Sequence, residues 1–482
     1  MKRKACVVAA LAVLAGCTSR AFGPQATGGF VPQGQRAGHF DHIVILVQEN
    51  RTFDNLFATY PFADGTKTGK LSNGGTVALH ETNMSDYGYP HAHGDFLAEY
   101  DHGKMDGWFN ILKGGGGQYG PSGTLSYQYV YPDQITPYWA IAKRYVLADH
   151  TFPTQSSGSY TGHLDLIGPG TQFAPGKSVT DFPTGSPFPQ YGCDLAPGTR
   201  TSLLTLANWA PGSGANYHRL AGPFTCFTYP TLRDTLDAAH VSWRYYAPQT
   251  SDPSGVLFNA FASIAAVRCA AWHPLAEKCD GNGPEWTTNI STPEKNIFSD
   301  IAHGTLAQVS WVIPDWVNSD HSVDPPQNAA HYRFPVDYGP SWVASVVNAI
   351  GTSTYWKSTL IVVVWDDWGG FYDHVAPPQL DYQGLGFRVP MLLVSAHVKK
   401  GFIAHSQFEF GSILKCIEDN WGLKHLSIWD TRPQSICGGF PNFAVDPLDY
   451  AMPARAFVPI PAKFTKQFFL RQPPSGVPVD TE

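Results

Sequence analysis

Charge is scarce in this sequence. Only 15% of its 482 residues are Asp, Glu, Lys or Arg, against about 25% in an ordinary soluble chain. Its cations gather into no stripe, and the net charge is -7. Duplex nucleic acid is therefore excluded as a main partner, because binding it takes clustered Lys and Arg to neutralise phosphates. Long apolar runs are missing too. Past the leader at the amino terminus, none reaches the roughly 18 residues that span a bilayer. Internal repeats are absent, and the 47 Gly and 39 Pro follow no period, so the chain is not collagen-like. What it has instead is apolar surface: 43% hydrophobic residues, with 13% aromatic. That is enough to drive collapse and too much for a disordered chain. A loop-rich globular protein remains.

The first residues, MKRKACVVAALAVLAGCTSR, open basic, continue apolar and close on small side chains. This is the pattern of an export signal rather than of a structural helix. Leu14-Ala15-Gly16-Cys17 has the form of a bacterial lipobox. Residues 1–16 are thus expected to be a signal peptide cut before Cys17, with lipid on Cys17 anchoring an exported chain to a bacterial membrane, in the periplasm or at the cell surface. A plain signal peptide cleaved nearby is the alternative. Residues 17–37, rich in Gly, Pro, Gln and Ala, read as a flexible tether. Six cysteines follow, an even number that suggests disulfides in an exported chain. Pairing neighbours gives Cys193–Cys226, Cys269–Cys279 and Cys416–Cys437. None has the spacing of zinc ligands.

Residues 42–47, 309–313, 360–365 and 389–394 are short runs rich in Val and Ile, without alternation. Such runs suit strands buried on both faces, as in a parallel sheet. Between them, residues 340–357 and 410–421 repeat apolar side chains at helical spacing. Strands alternating with helices predict an α/β layered sandwich. Residues 170–308 differ: they hold four of the six cysteines and few strand runs apart from 241–247. They read as a lobe or as long excursions from the same domain. The glycine run 114–117 reads as a surface loop.

Three stretches carry chemistry. After the first strand run come Glu49 and Asn50, and after 360–365 come Asp366 and Asp367. Ligands sit beyond the carboxyl ends of strands in open parallel sheets. Adjacent carboxylates near a core are costly unless a cation compensates them. One divalent ion held by these four oxygen donors would do so, and it would be hard: Ca²⁺, Mg²⁺ or Mn²⁺. In the third stretch Ser159 follows a glycine, with His163 four residues on. A serine hydroxyl attacks only when a base or a metal lowers its pKa, and a metal could clamp a phosphoryl oxygen as well.

Taken together, these blocks resemble the bacterial phosphoesterase family of non-specific phospholipases C and acid phosphatases. The resemblance runs over about residues 38–423. It rests on Glu49-Asn50-Arg51-Thr52-Phe53-Asp54, Gly103-Lys104-Met105-Asp106-Gly107, Ser319-Asp320-His321, the block 366–378 and Arg388-Val389-Pro390. It implies an alkaline-phosphatase-like fold, a three-layer α/β/α sandwich with a mostly parallel central sheet. By matching motif, Glu49, Asn50, Asp366 and Asp367, with Ser159, become ligands of one divalent metal. Ser159 becomes the nucleophile, as in the acid-phosphatase branch; the phospholipase C branch more often has Thr there. His321 and His374 match histidines that bind phosphate or donate a proton, and His163 lies beside the nucleophile. A further catalytic histidine upstream of the Gly-Lys-Met block is His91, with His93 as alternative. The family's Asn beside that serine-proximal histidine is Gly162 here. His397, His405 and His331 read as structural, surface or lining residues.

The resemblance thus implies a catalytic domain over 38–445 and a C-terminal extension, 446–482, packed on it. The expected activity is hydrolysis of phosphate esters through a phosphoseryl intermediate, as a broad acid phosphatase or phosphodiesterase. The phospholipases often carry extra C-terminal β domains, and the resemblance is read as that of a chain expected to lack them. Cleavage of phosphatidylcholine-type lipids is the alternative. A sulfatase would need Cys/Ser-x-Pro-x-Arg around its nucleophile, and Ser159 lacks it. A non-catalytic ligand-binding lipoprotein would be favoured by loss of Ser159 or of an acid pair, and all are present.

Overall fold

The Val and Ile runs form the middle of one nine-stranded sheet. In the computed structural model, residues 39–84, 89–111, 123–183, 191–249, 259–321, 337–440 and 442–475 are described. The lipobox, the tether, the glycine run 114–117 and His331 lie outside them. Along the sheet the order is Ile290–Ser291, Trp243–Tyr246, Val309–Val312, His42–Gln48, Thr359–Trp365, Val389–Val394, Val146–Phe152 and Phe402–Ala404, with Phe408–Glu409 also on Val146–Phe152. Pairing is parallel except where Val389–Val394 meets Thr359–Trp365 and Val146–Phe152. Successive side chains of a strand point to opposite faces. Every residue of Thr359–Trp365 and of Val389–Val394 is buried, so both faces are covered, as a layered α/β sandwich requires. Each fully buried Val or Ile there contributes roughly 1.5–3 kcal/mol relative to an exposed one.

Of the two expected helices, one spans Tyr338–Gly351 and buries Trp342, Val343, Val346, Val347 and Ile350. A separate 3₁₀ turn, Thr354–Ser358, follows it. The other is Phe410–Trp421, closed by Gly422 in the left-handed region (φ 65°). The three disulfides join Cys193–Cys226, Cys269–Cys279 and Cys416–Cys437, the expected pairs. Residues 170–308 divide their allegiance. Gln172–Ala174, Lys177–Thr180, Ser202–Thr205 and Tyr217–His218 make a small sheet of their own, whereas Trp243–Tyr246 and Ile290–Ser291 complete one edge of the main one. At the C-terminal end, Asn348 hydrogen-bonds both the N–H and the carbonyl of Ile460, and Phe469 stacks edge-on against Trp342.

Candidate active site

Two neighbouring parallel strands, His42–Gln48 and Thr359–Trp365, end side by side and hand over to Glu49-Asn50 and Asp366-Asp367. The backbones are knitted together there: Asp366 N donates to Gln48 O at 2.9 Å and Arg51 N to Asp367 O at 3.0 Å. Asn50 takes a left-handed backbone (φ 58°), which Asn tolerates better than most residues. Its N–H donates to Asp366 Oδ1 at 2.9 Å, and the Asp367 N–H donates to the same oxygen at 2.8 Å. At the bend that follows, Gly369 (φ 58°) leaves no room for a side chain, since a Cβ would stand 2.4 Å from Asn50 O.

Ser159 opens the short helix Ser159–Asp165. Its hydroxyl donates to Asp367 Oδ2 at 2.8 Å and lies 3.1 Å from Asn50 Oδ1. The opposite face of the Asn50 amide is committed as well: Nδ2 lies 2.9 Å from His91 Nε2 and 2.9 Å from His321 Nε2. Two imidazole acceptors thereby fix the amide so that its oxygen points to the serine. One turn after Ser159, His163 Nε2 lies 2.9 Å from Glu49 Oε1 and 3.6 Å from Asp366 Oδ2. Burial lowers the His163 pKa, against the pull of Asp366. The helix reaches these acids because of Gly162: a Cβ there would stand 2.6 Å from the Asp366 carbonyl oxygen. Glu49, Asp366 and Asp367 are fully buried, and Ser159 is 7% exposed.

These residues fit a divalent cation. Asp366 Oδ2 is buried and receives no hydrogen bond, and donor atoms of Glu49, His163 and Asp366 all lie within 4.8 Å of one another. The donor set differs from the expected oxygens in one respect, because an imidazole nitrogen stands among the carboxylates. His163 is thus turned to the acids. A nitrogen donor suits Mn²⁺ or Zn²⁺ better than Ca²⁺ or Mg²⁺.

Of the two upstream histidines, His91 meets Asn50, while His93 Nδ1 lies 2.6 Å from the Ser156 carbonyl. His374 is elsewhere. Its Nδ1 lies 2.7 Å from Asp54 Oδ2 and its Nε2 3.3 Å from Asp64 Oδ1, and none of its contacts reaches Ser159 or the acids around it. Two residues outside the expected set support His321. The Arg51 guanidinium donates to Asp320 O through Nε at 3.0 Å and Nη2 at 2.8 Å, to Met84 O and to Asn55 Oδ1, and covers the Phe371 ring. The Asp320 carboxyl accepts from Tyr138 Oη at 2.6 Å and Trp365 Nε1 at 3.2 Å. Burial pushes its pKa up to about 7. Both residues lie inside the quoted motif blocks, so an arginine and an acid packed among aromatics were the available signal. Behind the acids, Trp368 Nε1 donates to Glu99 at 2.7 Å, and burial holds that carboxyl well above its usual range.

The model of the Phosphoesterase family matches residues 40–424. Among curated proteins the chain is 25% identical to the non-hemolytic phospholipase C of Pseudomonas aeruginosa, over 85% of this chain and 58% of that protein. It is 24% identical to the non-hemolytic phospholipase C of Burkholderia pseudomallei, over 89% and 65%. The chain therefore spans less than two thirds of these relatives' length. Among solved structures, a protein in the alkaline phosphatase superfamily from Vibrio parahaemolyticus aligns over 81% of this chain and 69% of its own, at 9% identity and a TM-score of 0.35, a likeness too loose to argue from.

Proposed function

Because the chain belongs to the Phosphoesterase family, we propose that it hydrolyses phosphoric esters, with Ser159 as nucleophile and with Glu49, Asn50, Asp366, Asp367 and Ser159 itself as ligands of one divalent cation. The observation that carries this reading is the buried hydroxyl of Ser159 set between Asp367 Oδ2 and Asn50 Oδ1. A cation bound by these donors would supply positive charge to a phosphoryl oxygen and stabilise the serine alkoxide. Ser159 gives its proton to Asp367, the acceptor it faces, and Oγ attacks phosphorus. The bond to the departing alcohol breaks as a phosphoserine forms. His321 or His91, placed beside Asn50 and entering the cycle as an imidazolium turned from the amide, protonates the departing oxygen and takes a proton back from the attacking water, a role that fits them better than His374. Water then cleaves the phosphoserine and restores Ser159. Asp320 and Arg51 act through His321 by holding its loop, and His163 serves the carboxylates.

Within this class the reading is a broad acid phosphatase or phosphodiesterase, exported and anchored by lipid on Cys17. The names of the relatives favour a second reading, a phospholipase C acting on phosphatidylcholine-type lipids. One experiment tests both. Turnover of p-nitrophenyl phosphate, bis(p-nitrophenyl) phosphate and phosphatidylcholine vesicles is measured before chelation, after it, and after return of single divalent ions. Loss and recovery on at least one substrate is expected, and the preferred substrate separates the readings. Ser159→Ala should remove about three orders of magnitude of turnover or more and leave the unfolding transition in place. Near-normal turnover in that variant would sink the nucleophile assignment.

A further inference from the structure

Asp181 takes no part in the proposed chemistry, yet it is bonded to both sides of it. It follows directly on Lys177–Thr180 of the small sheet, and its backbone is left-handed (φ 43°), a conformation that costs energy for any residue with a Cβ. The residue is 8% exposed. Its Oδ1 accepts from the Ser157 hydroxyl at 2.9 Å and from the His93 N–H at 2.8 Å. Its Oδ2 accepts from the Tyr217 hydroxyl at 2.7 Å. The Asp181 N–H donates back to Ser157 Oγ at 3.3 Å.

Ser157 stands two residues before Ser159, and His93 two residues after His91. One carboxylate oxygen therefore joins the segment that carries the hydroxyl to the segment that carries an imidazole of the site. The His93 ring ties the same two segments a second time, with Nδ1 2.6 Å from Ser156 O. A carbonyl only accepts, so Nδ1 carries the hydrogen. Burial lowers the His93 pKa against the pull of Asp181 and keeps the ring neutral. Packing fixes that ring: its centroid lies 4.9 Å from that of Tyr217 and 6.1 Å from that of Phe96. Ser156 is anchored in turn, through Oγ donating to Gln383 O at 3.0 Å. Tyr217 belongs to the same small sheet as the strand before Asp181, so that sheet holds the carboxylate from both ends.

We propose that Asp181 is a positioning residue of the phosphoester reaction: by holding Ser157 and His93 on one oxygen, it sets the placement of Ser159 relative to His91. This role rests on the function proposed above. Asn50 joins the same two groups from the front, with Oδ1 3.1 Å from the Ser159 hydroxyl and Nδ2 2.9 Å from His91 Nε2. Asp181 closes the ring from behind. Reacting atoms must meet in a near-attack geometry, and a misplacement of about 1 Å costs on the order of a hundredfold in rate. A strained backbone persists where its surroundings over-determine it, and three bonded partners do so at Asp181.

The test compares Asp181→Ala, Asp181→Asn and Asp181→Gly in the whole chain. It reads turnover of p-nitrophenyl phosphate and amide hydrogen exchange followed by mass spectrometry. Asp181→Ala should lower kcat about a hundredfold with KM within about threefold, and should speed exchange in residues 89–96 and 153–165 together. A merely structural role would shift the unfolding midpoint and leave kcat of the folded chain alone. The amide of Asp181→Asn can accept at Oδ1 and donate from Nδ2 to the Tyr217 oxygen, so this variant should win back about tenfold in kcat. Asp181→Gly relaxes the backbone without restoring the acceptor and should stay as slow as Asp181→Ala. Should Asp181→Ala fail to fold, Ser157→Ala decides: it removes one bond, leaves the carboxylate, and should lower kcat about tenfold. A kcat within about twofold of the original in the folded Asp181→Ala or in Ser157→Ala overturns the proposal. So does recovery in Asp181→Gly, or faster exchange confined to one of the two segments. If the unsubstituted chain turns over no phosphate ester, the proposed function fails by itself, and the exchange pattern still decides whether Asp181 joins the two segments.

Discussion

Asp366-Asp367 and Asp373-His374 stand in one short stretch of chain, yet they serve two clusters of opposite character. Around Ser159 the carboxylates turn toward a hydroxyl, an amide oxygen and an imidazole, and Asp366 Oδ2 is left without a donor. Around Arg388 every buried carboxylate has a committed partner. Asp373 accepts from Arg388 Nε at 3.1 Å and Nη2 at 3.2 Å, and Asp54 accepts from Thr66, His374 and Arg388. The first arrangement sacrifices stability to keep electron pairs available for chemistry. The second satisfies its charges and holds loops together. Proximity in a motif therefore says little about proximity in space, because the turn at Gly369-Gly370 (φ 58° and 70°) sends the two acid pairs apart.

This contrast can be broken most forcefully at Asp367. Asp367→Asn should cut turnover by about a thousandfold or more, with little loss of stability, read as kcat beside a urea unfolding curve. A variant that unfolded instead would give the Ser159 cluster the structural role. Arg388→Met should do the reverse in kind. It strips the cation from buried Asp54 and Asp373 and should cost about 3–5 kcal/mol of unfolding free energy; a loss below about a tenth of that would mean the pairing is dispensable.

Asp320 sharpens the comparison through pH. Burial raises its pKa from 3.8 to about 7 in the folded chain, so between those values the native state holds a proton that the unfolded chain has released. Stability from this group is present below the lower value and is lost as pH rises toward and through 7. Asp320→Asn, a neutral mimic, should remove that loss. The variant should gain on the original by an amount on the order of a few kcal/mol between pH 4 and 8, measured by denaturation at each pH. A constant difference across that range would refute the assignment. The smallest expected effect is at Gly162. Gly162→Ala sets a methyl against the Asp366 carbonyl and should cost about 1–3 kcal/mol and roughly tenfold in kcat, since helix Ser159–Asp165 must back away from the acids. An unchanged kcat would show that the close approach serves packing alone.

The strands most legible in the sequence were those whose environment is apolar on both sides, such as Thr359–Trp365 and Val389–Val394. Val146–Phe152 escaped notice because Asp149 and His150 interrupt its apolar run. Those two polar residues face His405 and Asp64, and pairing on both edges of the strand overrides the local pattern. The acids after strands His42–Gln48 and Thr359–Trp365 could be singled out because adjacent carboxylates at strand ends are conspicuous. The place of His374 could not, since nothing in its spacing reports the turn between it and Asp367. Asp54 and Arg388 were visible only as letters of a motif, and their pairing depends on strands far apart in the chain.

The serine hydroxyl and its acceptor Asp367 are 208 residues apart, with the reversed strand Val389–Val394 lodged between the strands that lead to them. A growing polypeptide that has left the ribosome only as far as residue 300 owns the proposed nucleophile, Ser159, and neither Asp366 nor Asp367. On the proposed mechanism, reactivity arrives nearly all at once, late in synthesis, and fragments released early would be inert toward the phosphoesters of the compartment that makes them.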